Sequence, residues 1–115
     1  MASDIIQLVA TIASGASLSD AKDMRTKTVV GIVMPAIWTA ADLTFQVSSD
    51  GGTTFREFVG DAGAAVQYQV AAATQVAINP ALWRGIDQIK VRSGTSSAAI
   101  TQAADRAVTL LVRAA

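Results

Sequence analysis

Apolar and polar residues alternate along several short stretches of the chain, and the dominant period is two. Leu43, Phe45 and Val47 alternate with Thr, Gln and Ser, and Ile89 and Val91 alternate with Lys and Arg. A period of two places successive side chains on opposite faces of a β-strand. The pattern therefore predicts half-buried strands, apolar towards a core and polar towards the outside. Similar alternation occurs in residues 66–70 and 108–112.

Two further segments are apolar at both odd and even positions. Residues 29–34 read Val-Val-Gly-Ile-Val-Met, which is typical of a strand covered on both faces. Pro35 then ends the strand, because proline has no N–H to donate to a neighbour. Residues 5–12 are rich in β-branched side chains, and we expect either a central strand or an edge strand covered by a partner; residues 1–12 could equally form an arm.

Turn-forming residues separate these runs at short and fairly even intervals, which is typical of a β-sandwich or jelly roll. We predict one all-β domain over residues 1–115, an antiparallel β-sandwich or jelly roll of about eight short strands. The predicted strands are 5–12, 16–20, 27–34, 42–48, 54–59, 66–71, 75–78 and 87–93, with 107–113 closing the chain if 16–20 is only a turn. A single helical turn is expected at 80–83, capped by Asn79.

Composition removes several classes of function. The chain has no Cys and no His, so disulfides, thiolate metal sites and the commonest general base are excluded. Nine basic and nine acidic residues cancel and are scattered, which gives no electrostatic footprint for nucleic acid or an anionic membrane. Only 16% of the residues are charged, so either neighbours cover part of the surface or the protein is a small monomer with a bland surface.

The remaining polar residues predict no catalytic centre. The carboxylates are dispersed rather than paired, whereas general acid–base chemistry needs two in one cleft. Ser19 and Lys22 have the Ser-x-x-Lys spacing of penicillin-binding enzymes, but the companion motifs are missing. We expect no cofactor, no bound metal, no transmembrane segment and no signal peptide. The protein is expected to bind or build rather than to catalyse a reaction.

Residues 48–55 form the sharpest local motif, Ser-Ser-Asp-Gly-Gly-Thr-Thr-Phe. It matches the Asp-box spacing found on β-hairpins, in which the Asp carboxylate accepts hydrogen bonds from turn N–H groups and glycine supplies a positive φ. We interpret Ser48, Asp50, Gly52 and Phe55 as a structural hairpin. Binding of calcium or sugar at its surface is the alternative.

Two tryptophans fall in predicted loops, and each has two interpretations. Trp38 follows Ile37 between two strands, and Trp83 precedes Arg84 in another connection. Loop aromatics either close the end of a core or anchor a partner. The second interpretation makes Ile37, Trp38, Trp83 and Arg84 candidate interface residues. The arginines at 84, 92 and 106 are either donors to partner carboxylates or members of a solvated strand face.

Several motifs resemble small proteins encoded near the head genes of tailed phages and prophages. The resemblance covers roughly a third of the chain, and its motifs are residues 30–41 (Val-Gly-Ile-Val-Met-Pro-Ala-Ile-Trp-Thr-Ala-Ala), residues 43–48 running into the Asp-Gly-Gly turn, residues 91–95 (Val-Arg-Ser-Gly-Thr) and residues 102–106 (Gln-Ala-Ala-Asp-Arg). That family is similar to jelly-roll virion proteins, including capsid cement or decoration proteins. None of these motifs specifies a catalytic reaction.

The resemblance implies a non-enzymatic protein made in the host cytoplasm and carried on the outer surface of the capsid. There it would bind the major capsid protein and hold neighbouring capsomers together, as a homo-oligomer with a dimer as the default. Another virion β-sandwich, such as a head-fibre base, tail or baseplate component, is the first alternative. A carbohydrate-binding module is the second, and it requires Trp38 and Trp83 to be exposed and coplanar.

Overall fold

The computed structural model describes residues 5–114, and it contains eight β-strands and one short 3-10 helix. The strands are β1 (Ile6–Ile12), β2 (Lys22–Asp23), β3 (Lys27–Val33), β4 (Leu43–Ser48), β5 (Arg56–Glu57), β6 (Gln75–Ala77), β7 (Gln88–Ser93) and β8 (Arg106–Ala114). The 3-10 helix spans Pro80–Leu82. Within the described residues no helix is long and apolar enough to cross a membrane.

The strands form two antiparallel four-stranded sheets. Sheet 1 has the order β1-β8-β3-β6, and sheet 2 has the order β2-β7-β4-β5. The first strand pairs with the eighth, the second with the seventh, the third with the sixth and the fourth with the fifth. The chain is therefore one long hairpin, with its tip between β4 and β5, rolled into two facing sheets. This is the jelly-roll connectivity, and it confirms the predicted fold.

Because the strands are antiparallel, the connections gather at two opposite ends of the sandwich. Residues 13–21, 34–42, 58–74 and 94–105 connect strands at what we call the four-loop end. Residues 24–26, 49–55 and 78–87 connect strands at the three-loop end. The two ends are separated by the length of the strands, roughly 20 Å for seven residues.

The core lies between the two sheets and is built from the inward residues of the alternating strands. In β4, Leu43 and Phe45 are fully buried, and in β7 Ile89 and Val91 are fully buried. On the opposite sheet the buried apolar residues include Ala10, Ile12, Val29, Ile32, Val108, Leu110 and Val112. The alternation seen in the sequence is thus the alternation between core and outer face.

Three predicted strands are shorter than expected or absent. Residues 16–20 make only an isolated bridge between Leu18 and Arg92, and residues 66–71 only one between Leu43 and Tyr68. The prediction for 54–59 reduces to Arg56–Glu57. In 16–20 the ladder is irregular because the Ser19 hydroxyl, rather than a backbone carbonyl, accepts the N–H of Val91 at 2.8 Å. The last strand is β8, which confirms the alternative prediction that 107–113 forms a strand if 16–20 is only a turn.

Three other features depend on long-range pairing or on capping. Strand β2 was not predicted; it consists of two residues that pair with Gln88 and Ile89. The helical turn is confirmed, since Asn79 Oδ1 accepts a hydrogen bond from the N–H of Ala81 at 3.1 Å and Pro80 is the first helical residue. Among the described residues strand β1 pairs only with β8, so Ile6–Ile12 is an edge strand and the central-strand interpretation is wrong; its coverage by a partner stays a prediction, and residues 1–4 lie outside the described range.

Candidate interaction surfaces

The Asp-box hairpin is held together by its own side chains. The Ser48 hydroxyl donates to Asp50 Oδ1 at 2.7 Å and accepts from the Gly52 N–H at 2.9 Å. Asp50 Oδ1 also accepts from the Thr54 N–H at 2.9 Å. Hydrogen bonds from Ser48 and Thr54 lower the pKa of Asp50, because they favour its charged form. The carboxylate is therefore engaged in shaping the turn.

Contacts from neighbouring segments fix the same hairpin at the three-loop end. Asp87 Oδ2 accepts from the Gly51 N–H at 3.0 Å, and Gln88 donates to the Gly51 carbonyl at 3.2 Å. The Phe55 ring lies 4.3 Å from the Lys90 ammonium, a cation–π contact. These contacts account for the motif as a structural element. Among residues 5–114 no group of three or more Asp, Glu, His or Cys is placed to hold a metal ion.

Trp83 lies in the core and offers no surface to a partner. Its side chain is 0% exposed, and its ring contacts Phe45 edge-on and Phe58 at a tilt, each with ring centroids 4.8 Å apart. The anchor interpretation is therefore wrong for this residue, and the lid interpretation is correct. Trp83 inserts from the three-loop end, whereas Trp38 belongs to the four-loop end. The coplanar exposed pair required of a carbohydrate platform is not formed.

Trp38 is half-buried against the core, and Ile37 beside it is 69% exposed. The indole N–H of Trp38 donates to the carbonyl of Ala41 at 3.1 Å, which turns the ring back onto its own loop. Ile37 is thus the exposed apolar tip of a loop whose tryptophan is a lid. Arg84 lies at the opposite end of the sandwich, so the structure does not bring the four candidate residues into one site.

A buried glutamine at the four-loop end was missed by the sequence analysis as a structural residue. Gln102 is 1% exposed; its Oε1 accepts from the Thr39 N–H at 2.9 Å, and its Nε2 donates to the Thr39 carbonyl at 3.1 Å and to Ser93 Oγ at 2.7 Å. Arg106 Nε also donates to Gln102 Oε1 at 3.1 Å. Gln102 therefore fastens the Trp38 loop to the 94–105 connection. The only sequence signal was its place in one of the phage-like motifs.

The arginines differ in what they contact. Arg92 is buried and donates to both carboxylate oxygens of Glu57, so the interpretation as a donor to a partner is wrong for it. Arg106 is engaged with Gln102 and Thr39. Arg84 is exposed and has no hydrogen bond or ion pair with residues 5–114. It borders two clefts, of about 290 Å³ and 470 Å³, at the three-loop end.

The outer faces of the two sheets differ in polarity. On sheet 2 the outward residues of the paired strands are polar or charged, namely Thr44, Gln46, Ser48, Glu57, Gln88, Lys90 and Arg92. On sheet 1 the register places outward Gln7, Val9, Thr11, Gly31, Val33, Gln75, Ala77, Ala107, Thr109, Leu111 and Arg113. We call this second set the apolar outer face. Arg113, at its end, is its single charged residue.

Such a face is unusual for a sheet that meets only water. An antiparallel sheet with one face in solvent alternates apolar residues inside with polar residues outside. On sheet 2 the outward residues include several charges, whereas on sheet 1 they are apolar (Val9, Gly31, Val33, Ala77, Ala107, Leu111) or uncharged and polar (Gln7, Thr11, Gln75, Thr109) except for Arg113. Depletion of charge is typical of a surface that contacts another protein. The apolar outer face is therefore the candidate interaction surface.

No protein-family model matches the chain, and no curated protein matches its sequence.

Proposed function

We propose that this chain is a non-enzymatic capsid cement or decoration protein of a tailed phage, bound to the outer surface of the major capsid protein shell and stabilising it by bridging capsomers. The proposal joins the phage-like motifs of the sequence to the jelly-roll fold. The observation that carries it furthest is the apolar outer face of sheet 1, opposite a polar face on sheet 2. A protein with one such face is suited to lying on a surface.

The polarity difference gives the protein an orientation on the particle. Sheet 1 would lie against the shell, where its apolar residues leave water, and sheet 2 would face the medium with its charged residues hydrated. A standard interface buries roughly 800 Å² per partner. Repetition of the same contact over a shell multiplies modest affinities, because each bridged capsomer raises the effective concentration of the next contact.

The phage-like motifs supply residues that stabilise the fold and its loops, and a rigid fold suits a structural subunit. The segment 91–95 supplies buried Arg92 and the tight turn at Gly94, and the segment 102–106 supplies the Gln102 fastening. Rigid loops lower the conformational entropy that binding removes. The motifs thus support the role through shape rather than through a contact of their own.

The proposal is tested on particles from which the protein has been stripped. Re-added wild-type protein is expected to rebind and to restore resistance to heat and to loss of DNA. Thr109→Lys, in the centre of the apolar outer face, is expected to weaken rebinding by at least about tenfold, because it buries a charge at the interface. The matched control is Thr53→Lys, which adds the same charge at the exposed tip of the hairpin.

Three outcomes would contradict the proposal or the contact surface assigned to it. If stripped particles keep their full resistance to heat, the protein does not cement the shell. If electron microscopy of labelled protein places it at a tail, baseplate or fibre base, the alternative virion role replaces the capsid role. Equal rebinding of the two Thr→Lys variants would reject the apolar outer face as the contact surface.

A further inference from the structure

The edges of the two sheets are protected very unequally. Of the four edge strands, β2 and β5 have two residues each and β6 has three. Strand β1 has seven residues, with the sequence Ile-Gln-Leu-Val-Ala-Thr-Ile. Natural proteins protect long edges with charges, prolines or bulges, because an unpaired edge is a template for another strand. Strand β1 has neither charge nor proline, and its ladder with β8 runs without a shift.

The main-chain groups that face outward along β1 are identified by Thr11. The Thr11 N–H donates to Asp20 Oδ1 at 2.9 Å, and its carbonyl accepts from the Asp20 N–H at 3.2 Å. In an antiparallel ladder the N–H and C=O of one residue point to the same side, and the side alternates along the strand. Gln7 and Val9 therefore also point away from β8. Asp20 occupies only the Thr11 position.

The side chains flanking this edge carry no charge. On the inner face Ile6 is 49% exposed. On the outer face Val9 is 41% exposed and lies between Gln7 and Thr11, which are also exposed. An uncharged strand that mixes apolar and polar side chains fits beside this edge, and strand β1 itself has that composition, so the edge is compatible with a second copy of itself.

We propose that two copies of this chain pair through β1, antiparallel about a two-fold axis at Leu8. In this register Gln7 of each copy lies opposite Val9 of the second copy. Each pair exchanges two N–H···O=C hydrogen bonds, which gives four in all. The ladder ends where Asp20 blocks Thr11. The two copies of sheet 1 become one eight-stranded sheet.

The dimer goes beyond the capsid proposal and does not depend on it. It joins the apolar outer faces of two copies into one surface, which would double the contact with any shell beneath. If the chain dimerises through β1 but does not protect particles, the dimer is supported and the capsid role is contradicted. If the chain is monomeric but still protects particles, the capsid role is supported and the dimer is contradicted.

The first test is light scattering on the purified chain over a wide range of concentrations. Wild-type protein is expected at about twice the 11.8 kDa chain mass. Gln7→Pro removes an N–H that makes no bond to β8, and by symmetry it removes two of the four inter-copy bonds. The dimer dissociation constant is expected to rise by at least about tenfold. A wild-type chain that stays monomeric, or a folded Gln7→Pro variant that dimerises as tightly as wild type, overturns the proposal.

The control for this variant lies on the opposite edge of the same sheet. The Ile78 N–H donates to the Val30 carbonyl of β3, so by the same alternation the main-chain groups of Ala77 point away from β3. Ala77→Pro therefore makes the same kind of edge change on β6, and dimerisation is expected to be unchanged.

Crosslinking tests the register and does not depend on the proline variant folding. The chain has no native cysteine, so introduced thiols are unambiguous. In the proposed register the Cα atoms of Gln7 and Val9 of the second copy lie about 5.5 Å apart, within disulfide range. The double variant Q7C/V9C is expected to form a covalent dimer on air oxidation, and neither Q7C nor V9C alone should do so. Absence of the covalent dimer, or equal crosslinking by Q75C/A77C on β6, overturns the register.

Discussion

Arg92 and Glu57 are joined across an intervening strand on the outer face of sheet 2. Arg92 belongs to β7 and Glu57 to β5, and β4 lies between them. The guanidinium donates to both carboxylate oxygens, and its Nε donates to Thr44 Oγ1 of β4 at 3.0 Å. The Arg92 side chain is only 7% exposed, so its charge depends on these partners for solvation. One arginine thereby connects three strands.

Glu57→Gln is expected to destabilise the fold by about 2 kcal/mol, since it leaves a buried guanidinium without a counter-charge. Urea unfolding measures the loss. Asp61→Asn is the control, because Asp61 is exposed and has no hydrogen bond or ion pair with the described residues. Replacing Arg92 by Met in the Glu57→Gln background should recover part of the loss. A cost no larger than that of the control would show that the pair contributes nothing net.

The same pair predicts how stability depends on pH. The hydrogen bond from Arg92 lowers the pKa of Glu57, and partial burial opposes this to a smaller extent. A lowered folded-state pKa stabilises the fold above the unfolded value, about 4.3, and the stabilisation is lost as the pH falls through the folded value. Asp50 contributes in the same direction, because Ser48 and Thr54 lower its pKa.

We therefore expect the free energy of unfolding to fall as the pH is lowered from about 5 to 3. Urea unfolding at a series of pH values measures it. Glu57→Gln should reduce the slope in this range, while Asp61→Asn provides the matched comparison. A wild-type slope that Glu57→Gln leaves unchanged would contradict the assignment of this dependence to the pair.

Local patterns in the sequence predicted the elements that depend on local rules. The alternation of Leu43, Phe45 and Val47 gave β4, because one sheet face is buried and the period of a strand is two. Asn79 and Pro80 gave the 3-10 turn, because capping and the fixed φ of proline act over three residues. The Asp-box hairpin was predicted for the same reason. These features need no distant partner.

The features that were missed depend on residues far apart in the chain. Strand β2 exists only because Lys22 and Asp23 meet β7, and two residues carry no periodicity. The alternation placed Arg92 on an outer face correctly, but nothing local indicated that Glu57 would bury it there. Trp83 and Trp38 had the same local signature, a tryptophan in a turn-rich loop. Only the packing against Phe45 and Phe58 distinguished them.

Substitution of two glycines with positive φ distinguishes the cost of backbone strain from the cost of a steric clash. Gly94 has φ +89°, and a Cβ there would lie 2.5 Å from the Ala98 carbonyl oxygen. Gly15 has φ +80°, and a Cβ there would meet nothing within 4 Å. Gly15→Ala is expected to cost about 1 kcal/mol from conformation alone, and Gly94→Ala at least about 3 kcal/mol, because the backbone must also move. If thermal or urea unfolding showed the same loss of stability for both variants, the backbone of the 94–99 turn could move to admit the Cβ at no energetic cost.

Gln102 makes the strongest prediction about the four-loop end. Its amide is buried and hydrogen-bonds the backbone of Thr39 in both directions as well as Ser93 Oγ. Gln102→Ala leaves several of these polar groups unsatisfied and is expected to cost about 3 kcal/mol. The loss should be local first, so hydrogen exchange at the Thr39 amide should accelerate more than exchange in β4. Gln69→Ala, at an exposed glutamine of the 58–74 connection, is the control. If exchange accelerated equally at Thr39 and throughout β4, Gln102 would support the whole sandwich rather than fasten the Trp38 loop.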